Sequence, residues 1–316
     1  MGRMKPAQRA ASLCVLLTAV LLSAQQPRTR APEKRMEAVQ KLGLARLPGG
    51  TLPTFYSAGA DARAQYFQAL IGGEQEFYQQ ALHVPLADLH LAVLSPEQWS
   101  PVTTRDPYGM PSVQGHPRVI TMPADWSKAV IISVPEVSSL SPQLQGEVRA
   151  TGKAMRDLVY VGADSIGTHE LGHAIIEDCG IGWTTHWFNE FLASYVGNVY
   201  IEEKRPGDRA ADHIFWQTGL AYPHPHTSLN YFETHYDELS EKLPQNYGWY
   251  QCAFDQRVLA VYRTEGVGFL KKVKAAFPPG SPQLTSAQLL DKLESITPGW
   301  KQWAAQVEAD HVQVVR

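Results

Sequence analysis

Apolar and polar positions fall into three regimes along the chain. Across residues 60–82, Ala64, Tyr66, Phe67, Leu70, Ile71, Phe77, Tyr78 and Leu82 recur near helical spacing, which predicts an amphipathic helix. Asp61 near its start suits the positive end of the helix dipole. The weak alternation of LHLAVL at 89–94 predicts a strand. So do the β-branched runs RVITM at 118–122 and AVIISV at 129–134. Between them, residues 99–115 are rich in Pro, Gly, Ser and Thr and read as a loop. From about Ser141 the pattern turns helical and stays so. The order of helix, strands, then helices predicts an α+β fold with a small mixed sheet and a mostly helical C-terminal lobe.

The first residues follow a different rule. Arg3, Lys5 and Arg9 precede an uncharged apolar run, ASLCVLLTAVLLSA at 11–24. That run is shorter than the roughly 20 residues a membrane span needs and ends in small residues, as a signal peptide does. Cleavage is expected near Ala24, giving a secreted or periplasmic protein with no stable membrane span afterwards. Residues 25–50 are polar and broken by Pro and Gly, and read as a flexible lead-in with room for a short helix near 33–42. The body, 51–316, is expected to form one domain, with an α/β lobe over 51–180 and a helical lobe over 181–316. Loss of the signal leaves Cys179 and Cys252, which an oxidising compartment is expected to pair as a disulfide.

Composition adds exclusions. With 44% hydrophobic and 19% charged residues the 316-residue chain is a folded globular protein, not a disordered one. Seven of its 28 Lys/Arg and one of its 31 acids lie in residues 1–35, so the remainder carries a net charge of −9. Such a body is a poor partner for a phosphate backbone, and no nucleic acid is expected. The absence of a 20–50-residue repeat argues against a solenoid or propeller.

Candidate chemistry centres on His169-Glu170-Leu171-Gly172-His173, an HExxH string. On a helix, residues four apart share a face, so both imidazoles can grip one metal ion. Glu170 then reaches the water beside that ion as general base. Asp164 or Ser165 can start this helix and Gly180 can end it. Gly172, which costs about 1 kcal/mol relative to Ala in a helix, points to close packing or metal access. A third ligand is needed. Glu190 opens the next helical stretch inside apolar surroundings, where a lone carboxylate is costly unless paired or bound to metal.

These two segments resemble the gluzincin metallopeptidases, the group of thermolysin-like and aminopeptidase N-like enzymes, in which HExxH on one helix is followed by an Asn-Glu segment on the next. HELGH and NEFLASY match that pattern. The resemblance implies a zincin-like fold, one Zn²⁺ held by His169, His173 and Glu190, and Glu170 as catalytic base. Tyr250, at the head of a segment ending in Gly266, matches the clan's oxyanion-stabilising tyrosine, with Tyr247 as a rival in the same segment. Trp300-Lys301-Gln302-Trp303 looks like the closing helix of its compact members. The sixteen residues between His173 and Glu190 are fewer than in the best-known families. The aminopeptidases' Gly-x-Met-Glu-Asn strand is matched only by Tyr108-Gly109-Met110-Pro111, without its glutamate.

The remaining polar candidates are open. Prolines around His224 predict a plain loop, although His224 or His235 can supply a second oxyanion donor. His186 can orient Glu190 or line the cleft. Asp178 or Glu177 can accept a proton from a ligand imidazole. Residues 118–122 are either the edge strand that an extended peptide lies along or an internal strand. The function expected is an exported zinc metallopeptidase acting on a peptide or protein substrate. A zinc hydrolase of a non-peptide bond, or a zinc-binding protein of this fold whose catalysis has lapsed, are the alternatives.

Overall fold

The computed structural model describes residues 34–310, apart from Ala87, Arg105, Val130 and Trp183. The expected signal peptide, with its cleavage near Ala24, lies outside the described residues. Helix α1 (Arg35–Lys41) leads into β1 (Ala45–Arg46), β2 (Thr54–Tyr56) and the long α2 (Asp61–Leu82). Next come β3 (Leu89–Leu94), α3 (Pro96–Val102), β4 (Ser112–Gln114) and β5 (Arg118–Pro123). The fold is α+β, with a five-stranded mixed sheet in the order β1-β2-β3-β5-β4. Strands β2, β3 and β5 run parallel, while β1 and β4 are antiparallel edges.

The strands alternate between two cores. Leu91, Val93, Ile120 and Met122 face the main core, which α2 enters with Phe67, Leu70 and Ile71. Ala92, Leu94 and Val119 face a second layer with Val39, Trp99 and Val102 of α1 and α3. A sheet covered on both faces explains why LHLAVL alternates so weakly: apolar residues are wanted on either side.

Three expectations are corrected here. Residues 99–115 are not all loop. Pro96 sits in the first turn of α3, whose Trp99 is buried, and residues 112–114 pair with β5 as β4. Residues 129–134 form no strand among those described, although β-branched; β4 already occupies the edge beside β5. The lead-in is structured from Arg35 onward, since α1 covers the sheet and β1 pairs with β2. Residues 118–122 prove internal, and the edge belongs to Ser112–Gln114.

The helical part runs through α4 (Pro142–Thr151), α5 (Met155–Asp164), α6 (Ile166–Asp178), α7 (His186–Lys204), α8 (Arg209–Gly219), α9 (Leu229–Thr234), α10 (Tyr236–Lys242), α11 (Pro244–Glu265), α12 (Gly268–Ala276), α13 (Ser286–Ile296) and α14 (Trp300–Ala309). Helix α6 ends as expected at Gly180, at φ +68°, where Gly180 N–H bonds Glu177 O and Ile181 N–H bonds Ile176 O. Its start carries no side-chain cap: Asp164 instead binds Arg63 and Trp126, and Ser165 donates to Gly162 O. Thr185 caps α7 by accepting from Phe188 N–H. Phe191 of α7 meets Trp300 edge-on at 4.8 Å, docking α14 onto the core.

Cys179 and Cys252 are both buried free thiols, so the expected disulfide is not formed. Each is instead spent on packing; the Cys252 sulfur fills the space beside Gly219.

Helices α6 and α7 touch through glycine. A Cβ at Gly172 would stand 2.6 Å from Ala193 O and 2.9 Å from Ala193 Cα, both backbone atoms. A Cβ at Gly197 would stand 2.7 Å from Thr168 Oγ1. Gly172→Ala gains about 1 kcal/mol of helix propensity but overpacks a backbone contact, which costs about 1–3 kcal/mol. We expect a net destabilisation of up to about 2 kcal/mol by chemical denaturation. A more stable variant would show that the two helices separate freely.

Candidate metal centre

Helix α6 places His169 and His173 one turn apart on one face, and their rings lie 4.9 Å apart between centroids. Ligand atoms of His169, Glu170 and His173 fall within 4.8 Å of one another. Glu190, in the second turn of α7, brings Oε2 to 3.2 Å from His169 Nε2 and 3.7 Å from His173 Nε2. Two ligands about 2.1 Å from one ion at a tetrahedral angle stand about 3.4 Å apart, so these separations suit a shared ion. Two imidazole nitrogens and one carboxylate oxygen form a donor set that fits a divalent transition metal.

Each donor is held from behind. His169 Nδ1 lies 3.0 Å from Ser194 Oγ, one turn beyond Glu190 on α7. His173 Nδ1 lies 3.0 Å from the Asn189 amide. With the amide oxygen turned to that nitrogen, Nδ1–H is donated and the Nε2 lone pair is left for a metal. Glu190 Oε1 accepts from Tyr236 OH at 2.7 Å, and Oε2 accepts from Gln251 Nε2 at 2.9 Å. Tyr236 in turn stacks on His186 at 4.6 Å, and His186 is fixed by Glu233 through its backbone N–H and Nδ1. His186 therefore reaches Glu190 through Tyr236.

Glu170 is half-buried and points toward the sheet, where its Oε2 accepts the Val113 N–H at 2.9 Å. Val113 sits opposite Ile120 in the β4/β5 pair, with this N–H directed away from β5. Strand β4 is fixed by Arg35, which is fully buried. Arg35 donates to Ser112 O and Oγ at 2.8 Å and to Asp106 Oδ2 at 3.0 Å.

The metal-free electrostatics follow from this packing. Burial pushes Glu170 up to about 7, with the Glu190 charge adding and His169, Val113 N–H and Arg35 opposing. Burial would raise Glu190 as well, but His173, His169 and Tyr236 outweigh it and hold the carboxyl far below its ordinary range. Burial lowers His169, yet its bond to Glu190 and the two carboxylate charges leave it above the ordinary imidazole value. His173, without such a bond, is pushed down to about 4 by burial.

The other sequence candidates lie elsewhere. Tyr250 is buried and donates to Ser228 O at 2.9 Å, which commits its hydroxyl to the α9/α11 packing. Tyr247 stands one turn earlier on α11, half-exposed, interacting with Tyr236 and Gln251 and within the fields of Glu190 and Glu170. His224 stacks on Trp249 and meets Tyr222 O through Nδ1, while His235 stacks on Tyr231. Residues 224–226 are loop, as their prolines suggest. Asp178 grips Arg118 at 2.6 Å and Glu177 is exposed, so neither orients an imidazole. Those roles fall to Ser194 and Asn189, residues that lie one turn after and one residue before Glu190.

Removing either support should loosen the imidazole without unfolding the chain. Ser194→Ala and Asn189→Ala are each expected to weaken metal binding about 10- to 100-fold in chelator competition, with an unchanged circular dichroism spectrum. Wild-type affinity in both variants would show that these contacts do not orient the rings.

Comparison with family models, with curated proteins and with solved structures found no match to this chain.

Proposed function

We propose that the chain is an exported, zinc-dependent metallopeptidase of gluzincin type with a zincin-like fold. The observation that carries this reading is the position of Glu190. Its Oε2 lies between the two imidazole nitrogens of HExxH, while Glu170 stands beside them on the Val113 N–H. In this reading His169, His173 and Glu190 hold Zn²⁺. The ion supplies Lewis acidity, which polarises a carbonyl and makes water a nucleophile near neutral pH.

The chain's own residues account for the rest. Strand β4 is an antiparallel edge, and its outward Val113 C=O, beside the N–H that holds Glu170, offers an extended peptide a place to pair. Glu170, oriented by Val113, takes a proton from the attacking water and returns it to the leaving amine. A carboxyl pushed to about 7 suits a group that must both accept and donate a proton. Tyr247 replaces Tyr250 as the hydroxyl that stabilises the oxyanion, because it bonds Tyr236 and Gln251, the partners of Glu190, while Tyr250 is committed to Ser228. Tyr236 and Gln251 keep Glu190 ionised and turned toward the imidazoles.

The test is a diverse peptide mixture incubated with the chain starting at Gln25, with and without a zinc chelator, and read by mass spectrometry. Chelator-sensitive cleavage is expected; none in zinc-loaded protein would overturn the peptidase reading and direct the assay to ester substrates. Glu170→Gln should retain zinc and lose at least about 10³-fold in turnover, whereas Glu190→Ala should lose the metal. Tyr247→Phe should lower kcat by about 10²- to 10³-fold and Tyr250→Phe should not. The reverse order would return the oxyanion role to Tyr250.

A further inference from the structure

The Glu170 carboxylate is anchored on the Val113 N–H at 2.9 Å. That anchor sits on β4, a strand of three residues at the edge of the sheet. So short an edge strand frays unless something besides its ladder holds it. Arg35 of α1, at 0% exposure, does so. Its Nη1 donates to Ser112 O at 2.8 Å and Thr121 Oγ1 at 3.4 Å, and its Nη2 to Ser112 Oγ at 2.8 Å and Asp106 Oδ2 at 3.0 Å. Ser112 Oγ gives its own hydrogen to Asp106 Oδ2 at 2.5 Å. Asp106 is tied to α3 in turn, because its carbonyl accepts from Trp99 Nε1 at 2.9 Å. A planar charged fork thus joins β4, the neighbouring β5 and the loop that leads into β4.

The carbonyl that Arg35 grips and the N–H that holds Glu170 belong to one peptide group, the bond from Ser112 to Val113. That group is planar and trans, so its oxygen and its N–H point in opposite directions and move together. A cation on the oxygen also polarises the amide and strengthens the bond that the N–H donates. We propose that Arg35 is a positioning residue for the proton transfer at Glu170, acting through this peptide group. The inference rests on the peptidase reading. A mere anchor for α1 needs no guanidinium: Val39 of the same helix is buried beside Ala92, Leu94 and Trp99, whereas a buried charge carries a desolvation cost. The candidate zinc ligands have other supports. Ser194 and Asn189 of α7 back the imidazoles, and Tyr236 and Gln251 of α10 and α11 hold Glu190. Turnover and metal binding should therefore separate when Arg35 is changed.

The zinc-loaded full chain is compared as wild type, Arg35→Met and Arg35→Lys on a peptide that the wild type cleaves. Arg35→Met keeps an apolar stem and removes the fork. It should lower kcat about 10- to 100-fold, the scale of a small misplacement of a reacting group, and by more than any rise in KM. Zinc affinity in chelator competition should be unchanged. Hydrogen exchange read by mass spectrometry should be about 10-fold faster across residues 112–114. Arg35→Lys keeps the charge but reaches fewer acceptors, and should fall between the two. Wild-type kcat in Arg35→Met overturns the proposal, as does a loss confined to KM or a loss that tracks zinc affinity. If the wild type cleaves nothing, it is the peptidase reading that fails, and exchange decides the rest: faster exchange across 112–114 in Arg35→Met upholds the link from Arg35 to the anchor of Glu170, and wild-type protection overturns it. If Arg35→Met does not fold, Arg35→Lys carries the test by the same readings.

Discussion

Everything at the candidate centre depends on how closely α6 and α7 approach. Gly172 lies against the Ala193 backbone, and Gly197 lies against Thr168 and the His169 amide. Two glycines facing in opposite directions let the helix backbones touch without intervening side chains. That contact sets the 3.2 Å and 3.7 Å separations between Glu190 and the imidazoles. A methyl group at Gly172 would have to move backbone, and one at Gly197 would first meet the Thr168 hydroxyl, with the His169 amide close behind. The cost of glycine in a helix, about 1 kcal/mol at each position, is offset by this geometry.

The same contact creates an electrostatic problem that the neighbours resolve. Glu190 is a carboxylate in the core, and an unpaired ion there would protonate instead of staying charged. Four partners hold it: two imidazoles from α6, Tyr236 and Gln251. Two of the four come from outside the α6/α7 pair, so α10 and α11 are part of the candidate site. Glu170 has fewer partners, one backbone N–H and distant charges, and its affinity for a proton rises accordingly. Two glutamates twenty residues apart are thereby driven in opposite directions, one toward a fixed anion and the other toward a proton carrier.

The sheet enters through its edge. Arg35 of α1 grips Ser112 and Asp106, and Ser112 precedes the residue whose N–H orients Glu170. A helix near the start of the described chain thus fixes the register of the strand that faces Glu170. A buried guanidinium satisfied by a carboxylate, a hydroxyl and carbonyl oxygens makes a rigid support, since breaking one contact leaves the charge unpaired. Tyr78 of α2, bonded to Val196 O, braces α7 from the other side of the core.

The sequence by itself determined what is local. HExxH spacing placed His169 and His173 on one helical face, Gly180 marked the end of that helix, and the apolar setting of Glu190 singled it out. The weak alternation of LHLAVL and the β-branched RVITM located two central strands. Strand β4 was not legible, because three residues between turns carry no periodic signal; its pairing with β5 makes it a strand. Residues 129–134 failed the opposite way: β-branched composition favours a strand, but β4 holds the place beside β5. Tertiary structure alone decided which tyrosine lies among the partners of Glu190, that Ser194 and Asn189 back the imidazoles, that Arg35 supports β4, and that Cys179 and Cys252 stay apart. Each of these is a contact between residues distant in the chain or a choice between neighbours on one helix. Spacing reports which side chains share a face, and only the packing of other elements settles what that face meets.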